Sequence, residues 1–119
     1  AKDYVEGMYL MLQQKNPDDY VLSNESTHSV REFIELSCNY LDMDIVWKGS
    51  DISEVGLDKK TGKEIIKINP KFYRPAEVDL LLGDASKAKK ILKWKSKTSF
   101  KQLVELMIES DYKKESQKK

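Results

Sequence analysis

The chain has 119 residues, 39% of them hydrophobic, one cysteine and a formal net charge of +1. This length gives one domain and allows roughly two-thirds of the unfolded surface to be buried. A near-zero charge gives no global pull toward nucleic acid or a membrane surface. The lone Cys38 excludes an internal disulfide. The absence of a spanning apolar run or a signal peptide pattern makes the cytoplasm the default compartment.

Residues 3–15 read as a helix. Asp3 is its expected cap, with Glu6 closing a capping box, and Val5, Met8, Tyr9 and Leu12 form its expected buried stripe. Gly7 inside the helix implies a close packing neighbour, since glycine there costs up to ~1 kcal/mol relative to alanine. Asn16-Pro17-Asp18-Asp19 carries turn chemistry. The chain begins almost at the helix, which suggests a piece of something longer. Tyr20-Val21-Leu22 reads as a short buried strand, and 23–28 as a polar loop. Ser29 and Glu32 form a second capping box, opening a helix to about Leu41 with Val30, Phe33, Ile34, Ser37 and Leu41 inward. Cys38 lies in that helix, where a buried inert thiol is expected.

Ile45-Val46-Trp47 is β-branched and aromatic, hence a strand. Residues 49–62, with Gly49, Gly56 and Gly62 among charges, read as a long loop. Thr61-Gly62 signals a turn into a strand over 63–69, with Glu64, Ile66 and Ile68 on one face. Val78 to Leu82 is a further short apolar strand. Asp84 caps a helix running to about Lys93, with Ala85, Ala88, Ile91 and Leu92 inward. Six lysines lie between positions 87 and 97. Without aromatic interleaving beyond Trp94 they read as a solvated helix face and turn rather than a nucleic-acid patch. Ser99 and Gln102 form a third capping box. Phe100, Leu103, Val104, Met107 and Ile108 follow at helical spacing, and 112–119 read as a frayed lysine-rich tail.

The stretch Phe72 to Asp84 organises the chemistry. Of 21 basic side chains only Arg31 and Arg74 are arginine. Arginine offers a rigid donor fork that grips phosphate in a bidentate manner. Arg74 precedes Pro75, which biases it to an extended backbone, and Glu77 follows three residues later. Together they can hold a diphosphate and a ribose hydroxyl. They can equally form a surface ion pair, which is common and weak.

Several chemistries are missing from the sequence. A dinucleotide fingerprint needs closely spaced glycines, but the glycines at 7, 49, 56, 62 and 83 are never that close. No tyrosine is followed by lysine four residues on; position 13 after Tyr9 is Gln, and position 77 after Tyr73 is Glu. One histidine and one cysteine do not make a zinc site, and His28 reads as a polar loop residue.

Ala1-Lys2-Asp3-Tyr4-Val5-Glu6, Thr27-His28-Ser29-Val30-Arg31-Glu32-Phe33, Asp44-Ile45-Val46-Trp47 and Arg74-Pro75-Ala76-Glu77-Val78-Asp79 occur in this order. Leu82-Gly83-Asp84, Lys87-Ala88 and Trp94-Lys95 follow. The set closely resembles the C-terminal portion of GDP-mannose 4,6-dehydratases, which are extended short-chain dehydrogenase/reductases, to about Asp111. The resemblance implies an NADP-binding Rossmann domain preceding this portion and carrying the hydride-transfer groups. It also implies GDP-mannose as substrate, GDP-4-keto-6-deoxymannose as product, a homo-oligomeric parent enzyme, and Arg74 and Glu77 as substrate-binding residues. Two departures stand out. The family tends to have Ala-Thr-Gly-Glu where this chain has Ser23-Asn24-Glu25-Ser26, and it favours Gly at Lys93 and Pro at Ser96.

The resulting expectation is an α+β fragment of short strands with about four helices. Residues 1–111 form a GDP-sugar-binding part of a larger α/β enzyme, catalytically silent by itself and with no nucleic-acid or membrane partner. A free-standing non-catalytic nucleotide-sugar binding module, a fragment of another sugar-nucleotide epimerase or dehydratase, and a scaffold on the same fold are the alternatives.

Overall fold

A computed structural model describes residues 1–77 and 79–118. In chain order it holds α1 (Lys2–Leu12), α2 (Val30–Tyr40), β1 (Ile45–Lys48), β2 (Val55–Asp58), β3 (Glu64–Lys67) and α3 (Phe100–Ser116). Short 3-10 turns lie at Asp51–Ser53 and Pro70–Phe72, and a π-helical turn at Ala88–Leu92. The architecture is α+β. The chain divides into two compact units, one of Ala1–His28 and Asp79–Leu103, the other of the described residues of Ser29–Val78 and Val104–Lys119.

The first unit is built around Trp94. Ala85, Ala88, Leu92 and Trp94 form its buried cluster, and Leu10, Met11, Tyr20 and Leu22 pack against it. Gly7 supplies the close approach that its place in a helix implies. A β-carbon there would come within 2.6 Å of Leu22 Cδ1 and 3.3 Å of Trp94 Nε1. Trp94 Nε1 donates to the Asp3 carbonyl at 2.8 Å. Asp3 is not the helix cap expected of it; Ala1 holds that position without a side-chain bond. Its buried carboxylate instead gathers the loop after Trp94, with Oδ2 accepting from Ser96 Oγ (3.1 Å), Lys97 N (3.0 Å) and Thr98 N (2.9 Å). A negative group in one turn of helix thus orders a segment more than 90 positions away.

Several expected elements differ here. Val5, Met8, Tyr9 and Leu12 are exposed rather than buried, because Asp3, Gly7, Leu10 and Met11 occupy the side of α1 that faces Trp94. Tyr20–Leu22 is irregular rather than a strand; Tyr20 and Leu22 pack against the core while Val21 is exposed, and among the described residues no strand pairs with the segment's backbone. Leu80, Leu81 and Leu82 also form no strand and are exposed, and Val78 lies outside the described residues. Asp84 does cap the next turn, Oδ1 accepting from Ser86 N at 2.9 Å. That turn winds as a π-helix ended by Lys93 in the left-handed region (φ 55°, ψ 28°). The wider winding buries Ala88 and Leu92 and leaves Ile91 exposed.

In the second unit, Ser29 Oγ caps α2 by accepting from Glu32 N at 3.1 Å. Ser37 and Cys38 are buried and Phe33, Ile34 and Leu41 half-buried, while Val30, in the first turn, is exposed. Burial raises the Cys38 thiol pKa above its ordinary value, with Asp58 adding to it. The sheet is an antiparallel meander, β1-β2-β3. β2 lies inside the stretch expected to be a loop. Its Gly56 pairs with Trp47 on one side and Ile66 on the other, and its missing side chain is what those neighbours need. Thr61-Gly62 makes the expected turn, Gly62 at φ 70° and Thr61 Oγ1 donating to Asp58 Oδ2 at 2.8 Å.

The Ser99–Gln102 box ahead of α3 is reciprocal: Ser99 N donates to Gln102 Oε1 (2.9 Å) and Gln102 N to Ser99 Oγ (3.2 Å). Val104 is fully buried. α3 continues to Ser116, so residues 112–116 of the expected tail are helical, as the run of good helix formers permits. Lys119 lies outside the described residues.

Candidate functional site

The chain leaves β3 through a 3-10 turn that Asn69 caps, its Oδ1 accepting from Lys71 N at 3.0 Å. Pro70 occupies the first turn position, where a missing N–H is no loss. Tyr73 is extended (φ −70°, ψ 127°). The segment then presents Arg74 and Glu77 side by side, Arg74 Nη1 lying 3.7 Å from Glu77 Oε1 with side chains 79% and 63% exposed. That separation is an ion pair but too long for a hydrogen bond. An exposed pair of this kind contributes about 0–1 kcal/mol, so the guanidinium can turn to a stronger anion at small cost. The two residues singled out by the sequence therefore meet in space, and as they stand they form the surface ion pair of the plainer reading.

Arg31, the other arginine, is engaged locally. It pairs with Glu54 and lies 4.6 Å from the Trp47 ring centroid, while Trp47 Nε1 donates to Glu35 Oε1 at 3.0 Å. This cluster joining α2, β1 and the start of β2 was not foreseen; the scarcity of arginine was the one signal for it. His28 stacks on Phe100, ring centroids 3.9 Å apart, with Nε2 3.2 Å from Ser26 Oγ. Among the described residues no group of three His, Cys, Asp or Glu side chains is placed to hold a metal.

Three of the six lysines of the lysine-rich stretch pair with carboxylates. Lys87 meets Asp18 at 2.8 Å, Lys97 meets Glu6 at 2.9 Å, and Lys89 bonds Glu25. The Lys87 contact holds Asp18 below the usual carboxylate range. Lys89, then the Ala85 N–H, does the same for Glu25. Glu6 raises the Lys97 pKa. These pairs neutralise half of the positive charges that a nucleic-acid patch here would use.

Glu25 stands at φ 58°, in the left-handed region that favours glycine. Its Oε1 accepts from Ala85 N at 2.9 Å. Thr27 Oγ1 donates to the Leu81 carbonyl at 3.0 Å, so the 23–28 loop is tied to the segment that follows the Arg74 stretch in sequence.

An α+β domain carrying an exposed arginine–carboxylate segment fits many binding proteins, and the comparisons narrow the class. A model of the GDP-mannose 4,6 dehydratase family matches residues 1–107. Over 111 residues, 93% of this chain, it is 54% identical to a GDP-mannose 4,6 dehydratase of Dictyostelium discoideum, 50% to one of Drosophila melanogaster and 49% to one of Homo sapiens. It spans 31%, 28% and 30% of their lengths. The chain belongs to the GDP-mannose 4,6-dehydratase family.

Proposed function

We propose that this chain is the GDP-sugar-binding part of an NADP-dependent GDP-mannose 4,6-dehydratase, an extended short-chain dehydrogenase/reductase of the cytoplasm acting as a homo-oligomer. The parent enzyme is a lyase converting GDP-mannose to GDP-4-keto-6-deoxymannose and water, a step toward deoxysugars. The observation that carries this reading is the family match over residues 1–107, which includes the Arg74–Glu77 segment. Arg74 donates to the diphosphate, its planar fork matching phosphate oxygens. Glu77 accepts from the ribose hydroxyls, because a carboxylate set against phosphate would be repelled.

The residues present do not fit a dinucleotide site. Gly7 lies inside α1 under Leu22, Gly56 inside the sheet, and a β-carbon on Gly83 would meet Ser23 Cβ at 2.7 Å. Gly49 and Gly62 serve turns at positive φ. The proposal therefore assigns NADP, the hydride-transfer groups and the proton-transfer groups to the part of the parent enzyme outside these residues.

The test has two arms. The 119-residue chain incubated with GDP-mannose and NADP should form no 4-keto-6-deoxy product, and product above a no-protein control would sink the reading. In the parent enzyme, Arg74→Ala should weaken GDP-mannose binding by about 10- to 150-fold, a charge-assisted contact being worth roughly 1.5–3 kcal/mol. Arg74→Lys should restore only part of it. Unchanged affinity and turnover for Arg74→Ala in a folded enzyme would return the pair to a surface role.

A further inference from the structure

The segment that carries Arg74 has no core to hold it. Residues 71–77 are all exposed, so packing does not fix where the guanidinium starts. The turn just upstream does. Pro70 brings no N–H, so Lys71 N is the first donor of the 3-10 turn, and Asn69 Oδ1 accepts it at 3.0 Å. The Asn69 carbonyl accepts from Phe72 N at 3.0 Å, and the Pro70 carbonyl from Tyr73 N at 3.3 Å. Beyond Tyr73 the one polar contact of residues 74–77 among the described residues is the Arg74–Glu77 pair itself. Asn-Pro starts this turn for reasons internal to the two residues. A residue before proline is biased to extended backbone, where Asn69 stands (φ −85°, ψ 116°). Asparagine in that position reaches its own backbone two residues on, and proline has its φ preset.

We infer that Asn69 is a positioning residue for diphosphate binding: its side chain holds the turn that sets how far Arg74 stands from the end of β3. The inference rests on the reading of Arg74 as the diphosphate donor. The rise per residue gives the size of the effect. Wound as a 3-10 turn, three residues advance about 6 Å; as extended chain they advance about 10 Å. The difference of about 4 Å displaces the origin of the guanidinium by far more than the ~0.5 Å window in which an N–H···O bond keeps its strength. An opened turn therefore costs Arg74 its bidentate grip, and the apparent affinity falls with the fraction of molecules that keep the turn closed.

The test is made in the parent enzyme with GDP-mannose. Asn69→Ala should raise KM about 3- to 10-fold, the range that a lost cap implies. It should leave kcat within about twofold, since a contact to a non-reacting phosphate serves ground state and transition state alike. Asn69→Asp keeps an acceptor in the same place and should hold KM within about twofold of the unsubstituted enzyme. In an Arg74→Ala background, Asn69→Ala should cost less than about twofold, because the turn acts through that arginine. A merely structural residue would not show this dependence on Arg74. If Arg74→Ala raises KM and Asn69→Ala does not, the arginine reading stands and the inference falls. If neither raises KM, both fall. An equal effect of Asn69→Ala with and without Arg74 would also overturn the inference. Should Asn69→Ala not fold, Pro70→Ala takes its place, keeping the cap but freeing φ. It should raise KM in the same Arg74-dependent way, and an unchanged KM would overturn the inference.

Discussion

Lys93 and Glu25 both hold φ angles that glycine adopts freely, 55° and 58°, and these are the two positions where the family resemblance leads glycine to be expected. Their energetics differ. Lys93 ends the π-turn, Trp94 N donating back to the Ala88 carbonyl at 3.3 Å in the manner of a Schellman cap. Its side chain has no bond there that glycine would lose. Lys93→Gly should therefore raise stability by about 1 kcal/mol, and Lys93→Ala should not, since both lysine and alanine keep the β-carbon. Urea midpoints of the two variants check this. Glu25→Gly relieves similar strain but deletes the acceptor for Ala85 N and Lys89, so it should gain clearly less than Lys93→Gly, or lose stability. Both departures were legible as sequence, but the compensation at Glu25 was not. The carboxylate reaches a helix start 60 positions away, and no local pattern encodes that distance. The Arg74–Glu77 ion pair was legible because the two residues lie three apart in sequence.

At the scale of elements, capping chemistry transferred at three expected places and failed at Asp3, which does not cap α1. Ser29, Asp84 and Ser99 each cap the turn they precede. Strands transferred according to whether a partner existed. Ile45–Lys48 and Glu64–Lys67 pair through β2, whereas Tyr20–Leu22 and Leu80–Leu82 have strand-like composition and no ladder. β2 was hidden because Val55-Gly56-Leu57-Asp58 is short and carries a glycine, ordinarily a mark against a strand. Here the glycine is what allows the strand to sit centrally. A β-carbon on Gly56 would come within 2.7 Å of Ile45 Cδ1, 3.1 Å of Ile66 Cβ and 3.2 Å of Trp47 Cζ3. Gly56→Ala should destabilise the second unit by about 1–3 kcal/mol, the usual cost of overpacking. Chemical denaturation followed by Trp47 fluorescence would measure it, and a stabilised variant would show that Ile45 and Trp47 yield freely. The stripe of α1 was misread for a related reason. Helical periodicity identifies an apolar side but not which of two such sides the available core meets.

At the scale of the whole molecule, the carboxylates held below their ordinary range are unevenly distributed. Among the described residues they are Asp3, through the Thr98 N–H first, Asp18 through Lys87, Glu25 through Lys89, and Asp84 through Ser86. All belong to the first unit. A lowered folded pKa contributes stability that is present above the ordinary carboxylate range and lost as pH falls through the lower folded value. Acid should therefore loosen the first unit before the second, beginning below about pH 4. Each unit has one tryptophan, Trp94 and Trp47 respectively. Trp47→Phe and Trp94→Phe variants would follow them separately, and coincident acid transitions would refute the ordering.

The first unit is also discontinuous, made from two stretches of chain with the β-meander's segment between them. Asp3 and Thr98, which bond each other, are 95 positions apart, whereas each strand of the meander pairs with its neighbour in sequence. Long loops must close before the first unit gains its contacts, and non-local contacts slow folding. On a ribosome the order is set more firmly still. The meander is complete once Lys67 has left the exit tunnel, but Trp94 cannot find Gly7 until a further 27 residues have emerged. During that interval the Gly7–Leu10–Met11 side of α1 lacks the Trp94 cluster, and that helix face is where a chaperone would have most to bind.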